Sequence, residues 1–200
     1  YVAYHFKGSK PDWTRLVGVT VREADVYNVN ISSAQPAMGS VAMTLDTDTV
    51  EAADTYSESV YEGITIGLTA TANDGYRFTG WEVVNAQGKR TVVSTSNTRS
   101  FAAADTVMIA TFAINEATVK VAINKSAEGT VKISSHGDTN QFKAATGTSF
   151  TLTAVDTVDN RMSFRGWSLN ANAENIVSYD STYTFDLVAM NNNATYTYTA

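Results

Sequence analysis

Gly75-Tyr76-Arg77-Phe78-Thr79-Gly80-Trp81 follows Leu68-Thr69-Ala70-Thr71-Ala72, a run in which an apolar residue takes every second place. The same order returns as Leu152-Thr153-Ala154-Val155 and then Arg161-Met162-Ser163-Phe164-Arg165-Gly166-Trp167. Trp167 stands 86 residues after Trp81. Other landmarks keep step. Gly39-Ser40-Val41 matches Gly129-Thr130-Val131, Gly63 matches Gly147, and Phe101 matches Phe185, with offsets between 84 and 90. So small a drift means short loop insertions within a duplicated unit. A period this long exceeds the roughly 20–50 residues of solenoid repeats and suits a small domain that folds by itself.

The chain therefore reads as two tandem modules, residues 26–113 and 114–200. Residues 1–25 read as the end of a preceding module with an inserted junction segment. Tyr1-Val2-Ala3-Tyr4-His5-Phe6 resembles the closing strand Val107-Met108-Ile109-Ala110-Thr111-Phe112, which is expected of an excerpt from a longer protein. Between them, residues 7–25 are too apolar for a disordered linker. An extra strand over Arg15 to Val21, with Trp13 in a contact, is expected there.

Strand signals dominate. Val29, Ile31 and Ser33 alternate with Asn30 and Ser32, and Ile64 to Thr71 alternates until Asn73-Asp74-Gly75, a turn signal. Further strands are expected over 77–84, 91–94, 106–112, 118–123, 129–134, 148–155, 162–169, 183–187 and 194–199, with a turn at His136-Gly137-Asp138. No window of a dozen residues carries a 3.6-residue apolar stripe. The expected fold is all-β, with two tandem small β modules of about six strands each.

In such a strand, Phe78 and Gly80 would share one side and Thr79 and Trp81 the other. A glycine inside a strand marks a bulge or a close approach by a neighbour. The repeat landmarks Phe78, Gly80, Trp81, Phe164, Gly166 and Trp167 thus read as packing elements, with Trp81 covering a second face or the module junction.

Composition narrows the class. The chain has no cysteine, which removes disulfides, thiolate metal sites and cysteine nucleophiles. No run of 18 apolar residues exists, so no helical membrane insertion is expected. The net charge is −6, and Asp46, Asp48, Glu51, Asp54, Glu58 and Glu62 are interrupted by no Lys or Arg. Phosphate backbones require basic surfaces, so nucleic acid is not an expected partner.

The landmarks Gly39-Ser40-Val41, Gly63, Leu68 to Thr71, Gly75 to Trp81, Phe101 and Met108 to Phe112 resemble the divergent internalin-B-type repeat of bacterial surface proteins. The layout recurs more weakly in 118–200, where Arg161 and Met162 replace Gly75 and Tyr76. The resemblance implies an extracellular or cell-surface protein in which such modules serve as stalk, spacer or adhesion elements. More regular relatives imply an alternative, β-grasp-like modules with one short helix. The family implies no common catalytic residues.

Candidate chemistry is sparse. Ser134, Ser135, His136 and Asp138 could be drawn as a triad, but a triad is a spatial arrangement and seldom a single turn. His5, the other histidine, reads as a strand residue. Asp46-Thr47-Asp48 offers hard oxygen ligands for calcium, without the spacing of the twelve-residue loop. No enzyme, cofactor or metal is therefore expected. The expected partners are neighbouring modules of the same chain, with a surface glycan or protein ligand as a further possibility. For such a ligand Trp13, Tyr56 and Tyr61 are the candidate contacts. The functional reading is a non-catalytic stalk, spacer or adhesion region; the alternative is a carbohydrate- or peptide-binding module. Aromatic rings aligned on one exposed face would favour the alternative.

Overall fold

The computed structural model describes residues 22–51, 53–124, 129–156, 163–170, 172 and 174–200. Trp13, His5, the opening strand Tyr1–Phe6 and the strand expected over Arg15–Val21 lie outside the described residues.

Module one contains Val26–Ser33 (β1), Gly39–Leu45 (β2), Asp48–Thr49 (β3), Thr55–Tyr61 (β4), Thr65–Ala72 (β5), Tyr76–Val84 (β6), Arg90–Ser94 (β7), Thr98–Ala102 (β8) and Thr106–Ile114 (β9). Module two contains Glu116–Ala122 (β10), Gly129–Ile133 (β11), Gln141–Ala145 (β12), Ser149–Asp156 (β13), Trp167–Leu169 (β14), Ile176–Ser178 (β15), Thr182–Asp186 (β16) and Ala194–Thr199 (β17). The described residues include no α-helix, only a 3-10 turn at Ser134–His136. The all-β reading with two modules stands, and the helix-containing alternative finds no support among these residues. Among the described residues the strands number nine and eight where about six were expected. The added ones are short or lie at sheet edges, where half the side chains face water and alternation is diluted.

Both modules share one topology. Module one has a five-stranded sheet ordered β4-β1-β9-β6-β7 and a four-stranded sheet ordered β3-β2-β5-β8. Module two repeats the first as β12-β10-β17-β14-β15 and the second as β11-β13-β16. In each, the first and last strands pair in parallel at the sheet's interior, Val29↔Thr106 to Ser33↔Ala110 and Ala117↔Ala194 to Ala122↔Thr199. The inward faces follow the alternation read from sequence. Val29 and Ile31 of β1, Ile66, Leu68 and Ala70 of β5, and Met108 and Ala110 of β9 meet in one core. Val119, Ile133, Phe150, Leu152 and Leu187 form the core of module two. Each pair of sheets thus faces across its own apolar layer.

The Phe-x-Gly-Trp segment corrects the sequence reading. Phe78 and Trp81 do not point to opposite sides; their ring centroids lie 5.6 Å apart at 58°. A bulge is the cause. β6 pairs Phe78 with Phe112 but Gly80 with Thr111, leaving Thr79 as an extra residue. One extra residue reverses the alternation. The Thr79 hydroxyl donates to Thr111 Oγ1 at 2.9 Å, and the Thr111 hydroxyl donates to the Gly80 carbonyl at 2.9 Å. Trp81 therefore fills the core and covers neither a second face nor the junction. Phe164 and Trp167 reproduce the pair at 5.8 Å and 59°. Both tryptophans are fully buried, and neither indole N–H has a protein partner, so apolar packing holds them.

The two glycines differ. At Gly80 a Cβ would meet Val92 Cγ1 at 3.1 Å and the Ser94 carbonyl at 3.2 Å, so β7 lies close. At Gly166 the backbone has φ +146° and a Cβ would sit 2.9 Å from the Ser178 carbonyl. Only glycine takes that conformation without strain.

Trp81→Ala is expected to destabilise module one by about 3–5 kcal/mol, read from denaturant unfolding; a loss below about 1 kcal/mol would contradict the core assignment. Gly166→Ala is expected to cost about 1–3 kcal/mol and more than Gly80→Ala, because Gly166 has a positive φ and its Cβ would meet a backbone oxygen at 2.9 Å, against 3.2 Å at Gly80.

Candidate functional site

The aromatic candidates do not gather on one face. Tyr56 is 2% exposed. Its hydroxyl donates to the Val41 carbonyl at 3.2 Å and accepts from Ala53 N at 3.3 Å. It is the inward residue of edge strand β4, a core element rather than a surface contact. Tyr61, five residues on, points outward and is 62% exposed. Trp81 and Trp167 are enclosed in equivalent cores. The described residues thus offer no row of exposed rings on which a sugar could stack.

The acidic stretch builds structure. Asp46 adopts φ +52°, and its Oδ1 accepts from Thr65 N at 2.8 Å, closing the β2–β3 hairpin against β5. Asp48 belongs to β3, and Glu58 lies in β4 opposite Val29. Among the described residues no three His, Asp or Glu side chains converge as a metal would require.

The histidine turn is likewise committed elsewhere. His136 stacks on Phe142 at 4.1 Å and meets the edge of Phe150 at 4.7 Å, with Nε2 3.1 Å from the Ser149 carbonyl. Asp138 pairs with Lys132 at 3.0 Å. The Ser134 hydroxyl donates to the Thr151 carbonyl, and Ser135 Oγ accepts from Thr151 N. Each member of the drawn triad thus has a separate partner. Tyr198, buried against Tyr183 and Phe185, has its phenol pushed above the ordinary range, first by burial and then by the neighbouring Tyr183 and Tyr196.

Polar groups do converge at the joint between modules. β9 ends at Ile114 and β10 begins at Glu116, so Asn115 alone links them. It is 1% exposed. Its N–H donates to the Gly75 carbonyl at 2.8 Å, and its carbonyl accepts from Thr146 N at 2.9 Å. Its amide Nδ2 donates to the Tyr76 carbonyl at 3.1 Å in module one and to the Ala189 carbonyl at 2.9 Å in module two. Asn192 Oδ1 accepts from Arg77 at 3.2 Å and from Glu116 N at 3.1 Å. Gly75, with φ +85°, leaves the space that the Thr146 side chain enters. Lys143 pairs with Glu116 at 3.2 Å, but both are half exposed and such a pair contributes little. Sequence reading did not single out Asn115, Thr146 or Asn192. The brevity of Ala113 to Glu116 was the available signal.

The family described as the divergent InlB B-repeat domain matches residues 39–116, from the start of β2 through the joint. No curated protein matches the chain. Among solved structures, the Bacillus anthracis TIE protein is 11% identical at a TM-score of 0.39, over 88% of this chain and 33% of that one. The chain therefore spans about a third of that relative's length. A mutant of the major pilin from Streptococcus pyogenes is 12% identical at a TM-score of 0.23, over 88% of this chain and 97% of the pilin. Likenesses this slight define neither fold nor function.

Tyr56→Phe is expected to cost about 1 kcal/mol through its hydroxyl bonds, whereas Tyr61→Ala should change stability by less than about 0.5 kcal/mol. Thermal unfolding of both variants checks the assignment of one ring to the core and the other to solvent.

Proposed function

We propose that this chain is a non-catalytic spacer or stalk region of a secreted or cell-surface bacterial protein. The observation that carries this reading is the joint. A flexible tether leaves domain orientation free, and exposed linkers are the usual boundary between domains. Here one buried residue, hydrogen-bonded into both modules, forms the boundary. Such a joint fixes distance and direction, which is what a spacer has to do. The match of 39–116 to the divergent InlB B-repeat domain supports the extracellular setting. The role of Tyr56, Trp81 and Trp167 in the cores supports a structural use of the aromatics over a sugar-binding one.

Because the chain has no cysteine, labels at Thr47→Cys and Ser181→Cys, both exposed, report a single inter-module distance. The expected distribution is narrow in this background and broad after Asn115→Gly. A broad distribution before that substitution would defeat the spacer reading. Asn115→Ala is further expected to cost about 1–3 kcal/mol, since buried carbonyls lose their donor.

A further inference from the structure

The two modules build their entry ends on the same backbone but with different side chains. Val26↔Tyr61 in module one repeats as Glu116↔Ala145 in module two. One residue further out, Glu62 N donates to the Asp25 carbonyl at 2.8 Å, and Thr146 N donates to the Asn115 carbonyl at 2.9 Å. Gly63 and Gly147 follow with φ +91° and +88°. Asp25 is therefore the counterpart of Asn115, and Glu62 the counterpart of Thr146. Where module two offers an amide and a short hydroxyl side chain, module one offers two carboxylates, both paired with Arg22.

The exit end of module one fits the first set. Asn115 is 1% exposed, and its Nδ2 donates to the Tyr76 carbonyl at 3.1 Å and to the Ala189 carbonyl at 2.9 Å. A carboxylate in its place has nearly the same size but no hydrogen to give. It would set negative oxygens against carbonyl oxygens in a buried position, where an unpaired charge is costly. The second contact is steric. A Cβ on Gly75 would lie 2.5 Å from Thr146 Cγ2 and 2.9 Å from its Oγ1, so Thr146 takes the volume that the glycine leaves. Thr146 Oγ1 also accepts from Ala189 N at 3.1 Å, which holds the side chain in that orientation. A glutamate there is longer and charged. The cation that module one brings to the joint, Arg77, already donates to the Ile114 carbonyl and to Asn192 Oδ1.

We propose that the joint selects its neighbour. The exit end of module one accepts an entry end that carries an amide donor and a short side chain at these two places. It refuses an entry end that carries carboxylates there, module one's own included. Module two can follow module one, whereas a second copy of module one cannot follow it in the same arrangement. The order of modules is then set by two side chains, one matched and one repulsive element of the kind that specificity requires. This inference rests on the spacer reading, because it concerns the same joint, and it names the neighbour that the joint takes.

The test uses the 200-residue protein labelled at Thr47→Cys and Ser181→Cys. Asn115→Asp with Thr146→Glu gives module two the entry end of module one, and the narrow distance peak is expected to be lost. Asn115→Ala with Thr146→Ala removes the same contacts without adding charge. That pair is expected to keep the peak, because the backbone bonds Asn115 N to the Gly75 carbonyl and Thr146 N to the Asn115 carbonyl remain. Asp25→Asn with Glu62→Thr, made at the far end of module one, is expected to keep it too. Loss of the peak in the alanine and carboxylate pairs alike, or in neither, overturns the proposal, as does its loss in the far-end control. Indole signals of Trp81 and Trp167 report, core by core, that the modules stay folded. If the carboxylate pair unfolds module two, Thr146→Glu against Thr146→Ala decides by the same comparison. A distribution that is broad before any of these changes defeats the spacer reading and this proposal with it. A narrow one that survives the carboxylates defeats the proposal alone.

Discussion

An aromatic pair three residues apart, with its two rings packed together, is the constraint on which each module rests, and in module one a bulge in β6 brings both rings onto one face. Without the extra residue at Thr79, Phe78 and Trp81 would lie on opposite faces and one large ring would be left in water. The bulge solves this locally, and its consequences spread through the sheet. The glycine before Trp81 lets β7 lie close, and Thr111 ties the displaced backbone back to β9. The tryptophan then meets residues from both sheets. The recurrence of the pair at Phe164 and Trp167, with nearly the same distance and tilt, identifies it as the conserved mechanical element of the duplication. The two copies reach it by different backbone routes, a tight approach at Gly80 and a positive φ at Gly166.

Much of this was legible in the sequence. The duplicated landmarks gave the two modules, and alternation over Ile64 to Thr71 identified β5 with its inward Ile66, Leu68 and Ala70. The Asn73-Asp74-Gly75 turn is where it was expected. Other features were hidden for identifiable reasons. Alternation cannot reveal a bulge, because a single inserted residue leaves every residue type in place while reversing its side. β4 was concealed because Ser57, Glu58 and Ser59 separate its two buried residues, Tyr56 and Val60; it is a strand at the sheet edge and reads as a polar segment. Asn115 was invisible because its partners are backbone carbonyls from two modules, and no residue pattern specifies them.

The joint and the aromatic pairs also divide the work between them. The cores are apolar and self-contained, so each module has its own source of stability. The joint is polar, with bonds that depend on orientation, and hydrogen-bond geometry is far more directional than apolar contact. Asn115, Thr146 and Asn192 therefore set direction where Trp81 and Trp167 set cohesion. A change in one system need not disturb the other, which allows the spacing of modules to be altered without repacking a core.

The parallel pairing of first and last strands has a consequence under tension. Because β1 and β9 run the same way, the chain comes into module one at one end of that sheet and leaves it at the other. A pull along the chain would slide the two strands past each other, so the bonds from Val29↔Thr106 to Ser33↔Ala110 would share the load and yield together. An antiparallel pair at the termini would open from one end, bond by bond. Module two places β10 beside β17 in the same sense. Forced unfolding is governed by the height of the unfolding barrier and not by equilibrium stability, so this strand order suits a part that has to bear force at its ends.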